Sequence, residues 1–229
     1  IMAWDFGAEI HALSGFNADD SINSTETDEI FTLHANQWLK EGLIAVINQF
    51  PNDLKIQCAT RSTLNNSATT LDLDGKGQVL HVTRVSADSG GFEKVCRKIP
   101  GMYGDLTNDS TDLINYATVT DPVYWITNNS SGNPTLFVKP LPTANQPSYV
   151  HHITYPSITF ASTDIANFPD EFEYLVVLHA AIKATEYMML TEEDQEVYAP
   201  QLQTLKQDYQ QGLQSLSGGE GGPRTGGGG

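Results

Sequence analysis

Asn167-Phe168-Pro169-Asp170-Glu171-Phe172-Glu173-Tyr174-Leu175-Val176-Val177-Leu178-His179-Ala180-Ala181-Ile182-Lys183-Ala184 opens as a helix start and continues as a helix that is apolar almost all the way round. Proline suits the first helical position, and Asp170 and Glu171 complement the positive end of the helix dipole. Phe172, Leu175, Val176, Val177, Leu178, Ile182, Tyr187, Met188 and Met189 leave no clean polar stripe. Such a helix must be covered on several sides, inside its own subunit or between subunits. Thr191-Glu192-Glu193-Asp194 then resembles a capping box with Asp in the reciprocal place. A last helix is expected after it, with Val197, Leu202, Leu205, Tyr209, Leu213 and Leu216 as its seam. Pro200 should kink that helix or mark its first turn.

Upstream, eight of the eleven prolines fall between positions 100 and 169. Proline is confined to strand ends and edges, so strands there should be short: Val123 to Thr127, Thr135 to Lys139 and Tyr149 to Tyr155. Asn128-Asn129-Ser130-Ser131-Gly132-Asn133 reads as the hairpin loop between the first two. Thr69 to Asp74 and Val79 to Val85 alternate with period two around Gly75-Lys76-Gly77, which reads as a second hairpin. Phe92 to Ile99 is a further strand candidate, and 101–121 reads as polar loop with at most a short helical turn. Earlier still, Phe31, Ala35, Trp38, Leu39, Gly42, Leu43, Val46 and Phe50 recur at helical spacing, which predicts a helix over 27–50 stopped by Pro51. Gly42 on that face allows a close neighbour. Residues 1–24 show little periodicity and are expected to form an extended or irregular arm. Residues 218–229 are mostly glycine and should form a flexible tail.

The resulting expectation is an α+β chain: a small helical bundle of one N-terminal and two C-terminal helices, with a strand-rich antiparallel insertion and flexible ends. As organisation this gives an arm at 1–26, one domain at 27–217 and a tail at 218–229. Within the domain lie a helix at 27–50, the β-rich insertion at 54–160 and the C-terminal helices at 169–216.

The 229 residues carry a net charge of -16, which argues against gripping nucleic acid through phosphates. The charge is uneven: 55–98 holds seven basic residues against four acids, whereas 164–213 holds ten acids and two lysines. Nothing in the apolar pattern marks a membrane span or an export signal. Cys58 and Cys96 read as two thiols of a reducing compartment, with a bridge between them left open.

Reaction chemistry has little purchase. There is no phosphate-binding glycine loop, nucleophile elbow or His-Glu-x-x-His pattern. Asp72-x-Asp74-Gly75 has the start of a calcium loop without its remaining ligands, and a turn explains the same residues. His151 and His152 are neighbours on a strand and should point to opposite faces, so they would not share a metal. His179, inside the apolar helix, reads as a packed or hydrogen-bonded histidine. Trp125 beside Tyr124 could stack on a sugar, but core or interface packing is the simpler reading. No cofactor and no catalytic or metal-binding residue is expected.

The order of phrases carries more. Ile99-Pro100-Gly101-Met102-Tyr103-Gly104 is followed by Ala117-Thr118-Val119-Thr120-Asp121-Pro122-Val123-Tyr124-Trp125-Ile126. Then come Asn133-Pro134-Thr135-Leu136-Phe137-Val138-Lys139-Pro140-Leu141-Pro142, Ile153-Thr154-Tyr155-Pro156 and Phe168-Pro169-Asp170-Glu171. Over roughly 27–215 the chain resembles the head-to-tail connector (adaptor) proteins of tailed bacteriophages and related neck proteins. It departs from the small, mainly helical adaptors by its longer strand-rich part.

The resemblance implies a non-enzymatic virion protein at the head–tail junction, assembled in the host cytoplasm. It implies a homo-oligomeric ring, commonly a dodecamer, bound beneath the portal protein and offering a surface to tail or neck proteins. Double-stranded DNA would pass through the lumen non-specifically, and no membrane is involved. Under this reading Phe172, Leu175, Val176, Tyr187, Leu205, Tyr209, Tyr124 and Trp125 are the expected interface residues. The next readings are a tail terminator or a fibre-attachment adaptor and, from a different class, a carbohydrate-binding module.

Overall fold

Asp5 is a helix cap: its carboxylate accepts the Ala8 N–H at 2.8 Å and starts α1 (Phe6–Ser14). Gly15 closes α1 in the left-handed conformation, φ 74°, donating its N–H to the His11 carbonyl. The computed structural model describes residues 5–15, 27–86, 91–191 and 195–217. Part of the expected irregular arm is therefore a helix. Its nine residues are too few to show periodicity, although Phe6 and Ile10, one turn apart, are both buried. The rest of the arm (residues 1–4 and 16–24), the capping box at 192–194 and the tail at 218–229 lie outside the described residues.

The chain divides into two compact units, residues 1–58 with 155–229, and residues 59–154. The first is helical. In α2 (Thr27–Gln49), Ala35, Leu39, Leu43, Val46 and Ile47 are fully buried, the three- and four-residue spacing expected of its core face. The helix stops before Pro51, and the short α3 (Asn52–Gln57) follows. A 3-10 turn at Asp170–Phe172 opens α4 (Glu173–Thr191), and α5 (Gln195–Ser217) carries Pro200 inside it. α4 packs against α1, α2 and α5 of its own chain. Leu175, Val176, Ala180, Ala181 and Ala184 have no exposed surface. At these positions the apolar helix is covered from within its own chain.

Two glycines let α4 sit that deep. A Cβ on Gly42 of α2 would lie 3.0 Å from both His179 Cβ and the Val176 carbonyl oxygen. A Cβ on Gly212 of α5 would run into Leu175 Cδ2 and come within 2.9 Å of the Tyr174 hydroxyl. Close approach at both glycines adds dispersion contacts that a methyl group would prevent.

Among the described residues, the second unit contains eight strands: β1 (Ala59–Leu64), β2 (Thr70–Asp72), β3 (Val79–Val85), β4 (Glu93–Val95), β5 (Arg97–Lys98), β6 (Val123–Asn128), β7 (Pro134–Lys139) and β8 (Ser148–Ile153). They form two four-stranded sheets, ordered β1-β8-β3-β4 and β2-β7-β6-β5. All pairings are antiparallel except β5 with β6. One core draws on both sheets: Leu64, Val82 and Val150 from the first, Tyr124, Leu136 and Val138 from the second.

The β6–β7 hairpin forms as expected. Asn129 Oδ1 takes the N–H groups of Ser131 and Asn133, and Gly132 supplies the positive φ of 86°. The other expected hairpin does not form. β2 pairs with β7 and β3 with β8 and β4, so Gly75-Lys76-Gly77 carries the chain from one sheet to the other. Gly77 passes so close to Ile153 that a Cβ there would be 2.9 Å from the Ile153 Cβ. Alternation reveals a strand but not its partner, and here the partners are remote in sequence. The single strand expected over 92–99 is likewise split at buried Cys96 between the two sheets.

The stretch 101–121 covers the outer face of the second sheet. Ile99, Ala117, Val123 and Trp125 form a second core cluster, with Phe137 stacked on Trp125 at 5.5 Å between ring centres. Gly104 lies under the indole, where a Cβ would be 2.8 Å away. With both faces of β6 covered, Val123, Tyr124 and Trp125 are buried in succession. No helix among the described residues is long and apolar enough to cross a membrane.

Candidate assembly surfaces

The residues expected at an interface separate by burial. Leu175 and Val176 are fully buried on α4, and Leu205 is 5% exposed on α5. Tyr124 and Trp125 are 7% exposed on β6. Phe172, Tyr187 and Tyr209 are half-buried. Phe172 packs on Phe50 at 5.5 Å, Tyr187 on His34 and Trp38 at 5.6 and 5.8 Å, and Tyr209 on His179 at 5.8 Å. These three aromatics therefore combine an intramolecular contact with a remaining solvent edge. Tyr124 and Trp125 point to the two opposite faces of their sheet and act as core residues of the sandwich unit.

The outer face of the first sheet is polar and cross-linked. His81 and His151, in register on β3 and β8, stack with centroids 4.2 Å apart. His152, one residue on, turns to the other face, where its Nε2 lies 2.9 Å from Ser62 Oγ. The Arg61 guanidinium lies 3.5 Å above the Tyr149 ring and reaches Glu93 at 3.0 Å. Glu93 also accepts the Thr83 hydroxyl at 2.7 Å. Burial, with the positive fields of His81 and Arg61 behind it, holds His151 below the usual imidazole value. Asp72, from the calcium-like phrase, accepts the Asp74 N–H at 2.9 Å as a turn residue.

Arg84 is a buried cation, 2% exposed, on the inner face of β3. It donates to Gln146 Oε1 at 3.0 Å and to the Leu141 carbonyl at 3.3 Å. This fastens the 141–146 loop to the sheet. Burial lowers the Arg84 pKa, and burial pushes the thiols of Cys58 and Cys96 up to about 11 and about 12. Both cysteines are unbridged.

The exposed apolar residues were not legible as such. Leu113 is 93% exposed, Met102 80% and Ile114 76%, all on the segment over the second sheet. Val95, 72% exposed, lies on the edge strand of the first sheet, and Phe92, 74% exposed, immediately precedes that strand. The only sequence signal was an apolar doublet, Leu113-Ile114, stranded among polar residues with no periodic companions. In the helical unit an open groove of about 590 Å³ runs along α2, between Leu33, Gln37 and Ile44 on one side and Ile158 on the other.

Charge follows the division of the chain. Residues 1–58 and 155–229 hold twenty acids against five Lys and Arg; residues 59–154 hold eight against seven. Nearly all of the negative charge therefore belongs to the helical unit.

A family model described as "SU10 adaptor protein" matches residues 16–227. No curated protein matches the chain.

Proposed function

The chain belongs to the SU10 adaptor protein family, and from that premise we propose that it is the subunit of a ring joining the portal of a phage head to the tail. At the coarser level the family makes it a phage structural adaptor and a virion component, in contact with other head or tail proteins. The observation that carries the reading is the extent of the match. It runs through both compact units, which supports reading the helical part and the strand-rich part as one adaptor.

The finer reading draws on physical features. A ring needs heterologous contacts that close by rotation, and such contacts require apolar surface not consumed by the fold. Leu113, Met102, Phe92 and Val95 are surface of that kind, whereas Leu175, Val176, Leu205, Tyr124 and Trp125 are spent inside their own chain. Phe172, Tyr187 and Tyr209 retain an edge for a neighbour. The acidic helical unit suits a lumen through which DNA must slide, since a negative wall repels phosphates. The subunit acts by docking, without catalysis or a cofactor. A twelvefold ring bound to the portal above and to tail or neck proteins below is the arrangement proposed.

Negative-stain imaging of the purified chain, alone and mixed with portal, tests this. Rings that cap the portal are expected. A chain that remains solitary at high concentration and ignores the portal would defeat the proposal.

A further inference from the structure

Two surfaces of the sandwich unit complement one another. The first is the edge at residues 92–98. Phe92 and Val95 are largely exposed there, in a stretch that also carries Lys94 and exposed Lys98. The second is the tip at residues 102–114, where Met102, Leu113 and Ile114 project into solvent. Exposed Asp105 and Asp109, together with Asp112, lie in the same stretch, and no Lys or Arg occurs between Lys98 and Lys139. Both surfaces are apolar. At the edge Glu93 is paired with Arg61 and Arg97 with Asp121, which leaves the charges of Lys94 and Lys98, opposite in sign to those of the tip.

The tip is built in advance. Asp112 Oδ1 accepts the N–H groups of Ile114 and Asn115 at 3.0 Å, and its Oδ2 accepts Asn115 Nδ2 at 3.1 Å. Asp109 takes the Thr111 N–H and hydroxyl at 2.9 and 2.7 Å. These bonds hold both carboxylates below their usual range, so they remain charged at any ordinary pH. A preorganised apolar tip loses little entropy on docking.

We propose that the edge at 92–98 of one copy docks on the tip at 102–114 of the next, with Phe92 and Val95 packed against Leu113 and Ile114. The inference rests on the ring reading and identifies which surfaces make the ring. A second copy is the occupant because a homo-ring requires every subunit to offer two different, matching surfaces, and these match in both apolar character and charge. The helical unit, with its large excess of acids, would repel another acidic surface. The β4 edge also meets its partner without forming an extended sheet: it is three residues long and carries Lys94 at its centre, features that discourage open-ended strand addition.

The test uses two variants of the full chain, Phe92→Ser/Val95→Ser and Leu113→Ser/Ile114→Ser, with sedimentation and native mass spectrometry. These side chains are solvent-exposed, so thermal melts should match wild type. Each variant alone should self-associate about tenfold or more weakly than wild type. Mixed one to one, the two keep one intact junction between them and should stop at a heterodimer. Wild-type association should weaken as salt rises. If wild type assembles and either variant assembles equally well, or if salt has no effect, this pairing is overturned while the ring reading stands. If the mixture rebuilds full assemblies, the head-to-tail arrangement is overturned. A wild-type chain that never self-associates overturns this pairing, and if it also ignores the portal the ring reading falls with it.

Discussion

Arg61 and Glu93 stand on the two opposite edge strands of the first sheet, β1 and β4, yet their side chains meet at 3.0 Å above Tyr149. One ion pair thus straps the full width of a four-stranded sheet. Both partners are 40% or more exposed, so the pair itself contributes about 0.2–1 kcal/mol, with a similar amount from the cation–π contact. Arg61→Ala should lower stability to urea by about 1 kcal/mol, and more than Glu93→Gln, because it removes both interactions. Equal effects of the two substitutions in urea melts would show that the ring contact contributes nothing.

Gly42 should tolerate nothing larger. Alanine gains about 1 kcal/mol of helix propensity, but its methyl group would press on the backbone carbonyl of Val176, which cannot swing aside. Gly42→Ala is expected to be destabilising by about 1 kcal/mol and Gly42→Val by about 3 kcal/mol. A stabilised Gly42→Ala protein in thermal melts would contradict the packing of α2 on α4.

Leu175→Asp should abolish folding, and with it assembly, because Leu175 is fully buried by its own chain. The milder Leu175→Ala should cost about 2–5 kcal/mol. Circular dichroism of the isolated chain checks this. A folded Leu175→Asp monomer that fails only to assemble would move this side chain to a subunit interface.

His179 gives the helical unit an acid limit. Burial, the largest influence, holds its imidazole below the ordinary value, against the opposing effects of a hydrogen bond with the Trp38 backbone and of Glu41 and Glu186. Lys183 adds to the lowering. With the folded pKa below the unfolded value of about 6.5, the unfolded chain binds the proton more readily. The contribution is therefore complete above about pH 6.5 and is lost as the pH falls through the folded pKa. The Tm difference between wild type and His179→Gln, measured from pH 8 to pH 5, should shift in favour of the variant at the acid end. A difference independent of pH would rule out titration of His179.

Cys58 and Cys96 should be inert in the native chain. Both are buried, with thiol pKa values pushed up to about 11 and about 12, so hardly any thiolate is present at pH 8. A thiol-reactive chromogen should label neither before denaturation and both after it. Rapid native labelling of either would contradict the packing around that residue.

Local chemistry was legible wherever neighbours in sequence decide the outcome. Pro51 ends α2, Pro169 and the acids after it open the 3-10 turn into α4, and Asn128–Asn133 turns the β6–β7 hairpin. The opposite facing of His151 and His152 followed from the strand period alone. Where partners are distant, the same reading failed. β2 and β3 show the right alternation, but Leu71 and Val79 do not record that one joins β7 and the other β8. α1 was missed because nine residues hold too little periodicity, although Asp5 and Gly15 are ordinary helix caps.

The interface residues illustrate the same boundary. An apolar side chain announces that it must be covered, not by what, so Leu175 and Leu113 look alike until the fold buries one and leaves the other 93% exposed. Sequence alone determined most of the element types, the end of α2 and the opening of α4, the uneven charge and, through the order of its phrases, the resemblance to phage adaptors. Only the tertiary structure decided which apolar surface is spent inside the fold and which remains exposed. Burial is a property of contacts between segments far apart in the chain, and no local pattern encodes their meeting.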